Sequence, residues 1–435
     1  MNWILLVLNI ATAIIAVRKR VLPYSILTAI FVVLVVGQAF QMESDFQDSY
    51  TLTYAYSTVS DRGFAYAQWY VFVVSVISLI LSCVARGYKK GSQPGSRYWF
   101  NPSPAFYFVM IGVLSAIGGI LIFGIVGLSA FLNTSRPGNQ SGATLFITLI
   151  SIGIFPLLLK LMFPGKIGSW DIVCFGISLL VTAGFSRIHV ILYLLILLIT
   201  LFYCRGWADR AFSLRTARLF IGFGTTLLLF FFIVGALRDA QNFTEGSVGD
   251  LINYTLDHPE TSLLSLQYTY RVSVEGMSGL AGAFSDALLQ PDNVRNDYGL
   301  SAGIDGLAQM LPAPLKHGAQ DLITSVESLY WYEKPAGNVS PGIETSFVSF
   351  GWPGSIIYPC IFFAIFWNLP VMVLTRRLSP PLMLSAFMCF GCGIFFVRGS
   401  WADWIAFSVS YSIVIIVAWP FFSLYFTKNI VRAEA

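Results

Sequence analysis

The chain has 435 residues, of which 56% are hydrophobic, 16% aromatic and only 11% charged, and its mean hydropathy is +0.72. Soluble domains carry about 25% charged residues, so this composition cannot cover the outside of a water-exposed fold. It excludes a disordered chain, a secreted disulfide scaffold, a soluble Rossmann or TIM-barrel enzyme and a transcription factor, and leaves a polytopic membrane protein whose net charge of +4 averages two unlike faces.

A hydrocarbon core takes about 20 apolar residues per helix. In chain order, such runs fall at 2–17, 22–41, 67–85, 104–131, 144–163, 170–186, 188–204, 219–237, 347–375, 380–397 and 404–426. The expectation is an all-α protein with about eleven transmembrane helices. Helices 1–8 would occupy residues 1–237, a large loop 238–346, and helices 9–11 residues 347–435.

Basic clusters follow the first run (Arg18, Lys19, Arg20), the third (Arg86, Lys89, Lys90, Arg97) and the fifth (Lys160, Lys166). They recur at Arg205, Arg210, Arg215 and Arg218, at Arg376 and Arg377, and at Lys428 and Arg432. With eleven spans every cluster falls on one side, which the positive-inside rule makes the cytoplasmic one. The N-terminus is then outside, the C-terminus inside, and the first run an uncleaved anchor. The opposite side holds 42–66, 132–143 and 238–346, the last with five basic against fourteen acidic residues, a net charge of −9. Within it, 261–290 has apolar residues spaced by three and four, the spacing of a helix.

The six cysteines lie in or at the ends of apolar runs. Cys389 and Cys392 form a C-x-x-C inside LSAFMCFGCGIFF, where thiols serve as small packing residues. Three histidines far apart give no metal cluster, and no phosphate-binding loop is present, so no cofactor is expected.

Candidate chemistry gathers at the outer ends of spans. Arg187 is the only formal charge in the turn AGFSRIHV, with His189 two residues on. Its bland alternative is a snorkelling arginine at a helix end. Arg271 stands among aromatic and apolar residues beside Tyr270. Glu275 lies four residues later, so a local ion pair is the competing account of both. Glu344, in VSPGIETSFVSFGWPGS, precedes the ninth run and is suited to take a proton from a hydroxyl, unless it is simply a solvated interfacial glutamate. Arg398 closes the tenth run on the outside, where Asp403 is close enough in sequence to pair with it. Arginine grips phosphate bidentately. Arg187, Arg271 and Arg398, with Arg295 and His317 in the acidic segment, therefore suit a diphosphate-bearing, lipid-linked substrate, with arginine in place of a divalent ion.

At the level of these residues the chain resembles the Wzy-type O-antigen and exopolysaccharide repeat-unit polymerases, and more distantly the O-antigen ligases. The resemblance rests on many spans, one large outer loop in the C-terminal half, an R-x10-G from Arg271 to Gly282, and the stretch with Glu344, Phe350, Gly351 and Gly354. The Ser186-Arg187 turn adds to it. One departure is that only Arg238 to Gly249 offers a second R-x10-G, and Arg238 also closes the eighth run.

The resemblance implies a membrane-embedded, GT-C-like glycosyltransferase of the bacterial inner membrane that works without metal. An undecaprenyl-diphosphate-linked glycan would be the donor and a second lipid-linked repeat unit the acceptor, with a chain-length regulator as a further partner and no role for nucleic acid. Arg187 and Arg271 would stabilise the leaving diphosphate, and Glu344 would take the acceptor proton, His317 and Glu275 being the other candidates. Tyr268, Tyr270, Tyr330, Trp331 and Tyr332 could stack on sugars or form an interfacial belt. A ligase and a lipid-linked-sugar transporter are the rival readings. A transporter should carry charges or broken helices at mid-span and internal repeats, whereas here the ionisable residues collect at one outer edge. A non-catalytic assembly subunit would leave the outer arginines without a purpose.

The expected sidedness is open to direct measurement. A single added cysteine before Asn2 should react with a membrane-impermeant maleimide in intact spheroplasts, and one after Ala435 only after lysis; the reverse result would invert the topology.

Overall fold

The computed structural model describes residues 1–47, 53–54, 57–58, 60–88, 98–120, 148–163, 165–185, 187–204, 253–254, 256–258, 277–289, 342–375, 378–399 and 401–428. In chain order the elements are α1 (Asn2–Arg18), α2 (Leu22–Phe31), a π-helical turn (Val32–Val36) and α3 (Gly37–Gln47). A short ribbon pairs β1 (Thr53–Tyr54) with β2 (Ser57–Thr58), and α4 (Asp61–Val84), β3 (Tyr98–Phe100) and α5 (Pro104–Gly119) follow. A 3-10 turn (Ser151–Ile154) leads into α6 (Phe155–Met162), then α7 (Ser169–Phe185), α8 (Arg187–Cys204) and α9 (Met277–Leu289). Next come α10 (Gly342–Phe350) and α11 (Gly354–Phe363), which continues through a second π-helical turn (Ala364–Asn368) into α12 (Leu369–Thr375). The chain closes with α13 (Pro380–Gly391), α14 (Gly393–Arg398), α15 (Trp401–Ser423) and β4 (Phe426–Lys428).

Among the described residues, five helical stretches are long and apolar enough to cross a bilayer: Leu22–Phe40, Asp61–Val84, Gly354–Leu374, Pro380–Arg398 and Trp404–Ser423. Five shorter apolar helices cover Asn2–Arg18, Pro104–Gly119, Thr148–Met162, Ser169–Thr182 and His189–Cys204. Ten of the expected runs therefore coincide with an apolar helix, half of them of spanning length, and the run at 219–237 lies outside the described residues.

The helices are turned inside out relative to a soluble fold. On α1, Asn2, Asn9 and Thr12 are buried while Trp3, Val7, Ile10 and Ile14 are exposed. On α7, Asp171, Ser178 and Thr182 are buried and Ile172, Val173 and Leu180 are exposed. Apolar faces outward and polar faces inward are stable only where the surroundings are hydrocarbon. The chain is an α-helical membrane protein.

Two differences from the expected runs have a clear local cause. α4 starts at Asp61, not 67, because Ser60 caps it: its Oγ accepts from the Gly63 amide at 3.0 Å, and Asp61 lies at the positive helix end. The expected ninth span, 347–375, is two helices. Gly351 adopts φ 62°, its amide bonds back to the Phe347 carbonyl at 2.6 Å, and Pro353 precedes the restart at Gly354. A left-handed residue followed by proline ends one helix and allows another direction for the next.

The chain forms two compact units. The first comprises Met1–Lys90, Tyr270–Arg376 and Cys392–Val409. In it α1 and α4 run parallel, joined by a ladder of side-chain bonds. Gln68 donates to Asn2 (2.8 Å), Asn9 donates to Ser75 (2.8 Å), and Lys19 Nζ reaches the carbonyls of Ser82, Cys83 and Ala85 (2.6–2.8 Å). Asn2 also donates to the Ala39 carbonyl and to Glu43. Tyr24 of α2 packs on Phe362, Phe363 and Trp367. α9, from the segment expected as an outer loop, is buried against α4: the Ser60 amide donates to Ser285 Oγ at 2.9 Å, and Gly63 leaves no room for a side chain between them.

The second unit comprises Gly91–Thr269, Arg377–Gly391 and Ser410–Ala435. β3 pairs antiparallel with β4, Trp99 facing Thr427, and Phe106 stacks on Phe421 at 5.1 Å between centroids. Its polar centre is Asp171, fully buried, which accepts from Tyr107 Oη (2.5 Å), Lys160 Nζ (2.8 Å) and the Gly168 amide (2.7 Å). Lys160, grouped by the sequence with Lys166 as a basic cluster at the end of the fifth run, is thus buried in an ion pair, while Lys166 is exposed. Asp171 is the only acid in its run, and its neighbours satisfy it because an unpaired charge there would be far costlier than the pair.

Asp171→Asn, which leaves Lys160 buried without its counter-charge, should lower unfolding stability in detergent by about 3–5 kcal/mol. The Lys160→Met, Asp171→Leu double variant should recover most of that loss. Equal thermal midpoints for Asp171→Asn and the native protein would remove the pair from any structural role.

Candidate functional site

Among the predicted site residues, Glu344 has the most fully described surroundings. It lies in the first turn of α10, where the positive helix end favours a carboxylate. Residues 342–349 are all buried, and Glu344 itself has no exposed surface. The sequence allowed a solvated glutamate at the membrane edge, and the structure corrects that. Gly342 lies against the Phe396 carbonyl and the Tyr358 ring, while Gly354 lies against the Ser346 carbonyl and Tyr70 Oη. Those contacts make α10 run back alongside the first turns of α11. Glu344 is therefore beside the first turns of α11 instead of ahead of them in an extended loop.

Small residues make this possible. A methyl group added at Gly342 or Gly354 would collide with a backbone carbonyl, so α10 could not approach either α11 or α14 as closely. Tyr70 Oη and Ser346 Oγ share a hydrogen bond of 2.8 Å, which ties α10 to α4, and Ser346 in turn donates to the Ile343 carbonyl. Around this pair stand Phe284, Phe347 and Trp352: Phe284 stacks on Phe347 at 3.9 Å, and Tyr70 is 5.8 Å from each of them and 6.0 Å from Trp352. Trp352 and Tyr66, 6.2 Å apart, form the exposed rim of this aromatic group. Ser349 Oγ and Tyr358 Oη are buried and make no hydrogen bond among the described residues. Buried polar atoms of that kind are uncommon.

Arg398 belongs to the same unit as Glu344. It ends α14, half-buried, two residues beyond the Phe396 carbonyl that Gly342 touches. Arg187 and His189 belong to the second unit. Arg187 is the first residue of α8, and α7 ends at Phe185. His189 is buried, with Tyr411 and Tyr193 as aromatic company: His189 and Tyr193 each lie 6.5 Å from Tyr411. Tyr270, Arg271, Glu275, Arg295 and His317 lie outside the described residues. Gly282, the glycine of the R-x10-G, is buried within α9. No group of three His, Cys, Asp or Glu side chains that could hold a metal occurs among the described residues.

Sequence reasoning found Glu344 because it is an isolated carboxylate beside break signals. It missed Tyr70, Phe284, Ser346 and Tyr358. Tyr70 reads as an interfacial aromatic and Phe284 as ordinary apolar content, and nothing local couples position 70 to 346. The chain matches no protein-family model, no curated protein and no solved structure.

Two substitutions test the packing of α10 apart from its chemistry. Tyr70→Phe removes one buried hydrogen bond and should cost about 1 kcal/mol. Gly354→Ala forces α10 and α11 apart and should cost about 1–3 kcal/mol. Both are read as shifts in thermal unfolding of the detergent-solubilised protein, and a neutral Gly354→Ala would contradict the close approach.

Proposed function

We propose that the chain is a membrane-embedded glycosyltransferase. It would polymerise undecaprenyl-diphosphate-linked oligosaccharide repeat units at the periplasmic face of a bacterial inner membrane, with eleven spans, a periplasmic N-terminus and a GT-C-like design. The observation that carries this reading is Glu344, a fully buried carboxylate held on a helix folded back beside a span. Ionisable groups at such a depth are costly and are retained for function. The likeness of the chain's motifs to the Wzy-type polymerases supplies the substrate class.

In this reading Glu344 takes the proton of the acceptor hydroxyl as its oxygen attacks the anomeric carbon of the donor. The bond from that carbon to the diphosphate oxygen breaks, and undecaprenyl diphosphate leaves with the bonding pair. Arg187 and Arg271 neutralise the charge that grows on the leaving group, and Arg398 assists. Tyr66 and Trp352, the exposed aromatic rim, offer flat apolar faces to a sugar ring. A ligase using the same donor and a different acceptor is the nearest rival. A transporter is disfavoured because the ionisable residues of the sequence gather at one outer edge of the expected spans and no internal repeat is visible.

Purified protein mixed with lipid-linked repeat units, without nucleotide or added metal, should lengthen them into a ladder of products. Glu344→Gln, similar in volume, should leave thermal stability near native and lower the rate by a factor of about 10²–10⁴. Arg187→Ala and Arg271→Ala should each abolish long products in a deletion strain while the protein remains in the membrane. Ladders of native length from Glu344→Gln would remove the carboxylate from the chemistry. Transfer to a different acceptor without lengthening would turn the reading to a ligase.

A further inference from the structure

A second charged feature belongs to the first unit, at the ends of α1 and α4 remote from Ser60. Arg18, Lys19, Arg20, Arg86, Gly87 and Tyr88 line an open recess of about 590 Å³. Four cations from two separate stretches of sequence meet there because α1 and α4 run parallel and finish side by side. Like charges so close repel one another, so the arrangement needs a compensating anion or a structural reason.

Lys19 has a structural reason. Its Nζ donates to three carbonyls at the end of α4, which is the favoured place for a cation on a helix. Its own carbonyl accepts from the Tyr88 amide at 2.9 Å, Gly87 is too close to it to carry a side chain, and the Trp367 indole donates to the Arg86 carbonyl at 3.0 Å. The walls of the recess are thus fixed by backbone bonds that do not use the arginine side chains. Arg18 and Arg86 are exposed, and neither guanidinium has a hydrogen bond or ion pair among the described residues.

Arg20 closes the turn after α1 at φ 62°, where the Arg20 and Val21 amides return to the Val17 and Ala16 carbonyls and cap the helix beside the recess.

The surfaces leading to the recess say what kind of anion fits. Val7, Ile10 and Ile14 form an exposed apolar stripe on α1 that continues, four residues on, at Arg18. Ile80 and Val84 form another on α4, two residues before Arg86. Each stripe is a lipid-facing track ending in a cation. We infer that the recess binds the phosphate headgroup of an anionic membrane lipid, whose acyl chains lie along the Ile14 and Val84 faces. Arg18 and Arg86 grip the phosphate, Arg20 adds positive potential, and Lys19 holds the frame. The site is independent of the glycosyl-transfer reading, since none of its residues takes part in that chemistry.

The test uses the full chain in nanodiscs of phosphatidylcholine doped with phosphatidylglycerol, followed by release into detergent and native mass spectrometry of retained lipid. The native protein should retain phosphatidylglycerol in preference to phosphatidylcholine. The Arg18→Ala, Arg86→Ala double variant should hold it about 25-fold more weakly, from about fivefold per arginine, with an unchanged thermal midpoint in detergent. Equal retention by native and double variant overturns the proposal, and so does equal retention of the two lipids by the native protein. A parallel titration with inorganic pyrophosphate in neutral detergent separates the sources. Arginine-dependent pyrophosphate binding without phosphatidylglycerol selectivity assigns the recess to a soluble phosphate and overturns the lipid.

Discussion

The need of polar groups withdrawn from water for partners within the protein governs most of this structure. Hydrocarbon offers no hydrogen bonds, so helices satisfy their own backbones, and the side chains they bury must bond to one another or to carbonyls. Ser75 and Ser82 donate to carbonyls four residues back on α4, and Thr28 and Thr200 do the same on their helices. Larger polar groups pair across helices, and those pairs fix which helices are neighbours. Asn2 with Gln68 and Asn9 with Ser75 set α1 parallel to α4, and Asp171 gathers Tyr107, Lys160 and Gly168 around α7. Because lipid is as apolar as leucine, it is these bonds and close van der Waals contact that select the packing.

Close contact in turn depends on glycine. Gly63 admits α9 onto α4, Gly342 and Gly354 admit α10 between its neighbours, and Gly391 and Gly393 lie against Ile196 and Phe366. The consequence for function is at α10. A nine-residue helix can be drawn in alongside a span only if its own backbone approaches its neighbours without side chains between, and that brings Glu344 away from water. The cost of burying a carboxylate is lessened by its place in the first turn of the helix, and the Tyr70 to Ser346 bond keeps the helix in register.

Charge is thus treated in two ways. In the interior it is scarce and paired, as in Lys160 with Asp171. At helix ends it is gathered and made to cap or to face outward, as in Lys19 on the end of α4 and Arg18 and Arg86 beside it. The 24 residues of α4 span about 36 Å. They connect the aromatic group around Tyr70 near its start to the basic recess at its end, so one helix carries both features of the first unit.

By itself the sequence determined that the chain is a helical membrane protein, where the apolar runs fall, and which carboxylate stands beside a break. Those are local properties of composition, of period and of Gly-Pro punctuation, and hydrocarbon thickness turns them directly into helices. It also carried the grouping of basic residues that made Arg18 and Arg86 expected neighbours of one face. Tertiary structure decided what local signals cannot hold. Only packing shows that 347–375 is a short buried helix turned against a span, that part of the acidic segment is the buried α9, and that Lys160 is held by Asp171. Each depends on a partner tens or hundreds of residues away, Asp171 for Lys160, Ser285 for Ser60 and Ser346 for Tyr70, and a hydrogen bond or a missing methyl group at such a contact leaves no period in the sequence.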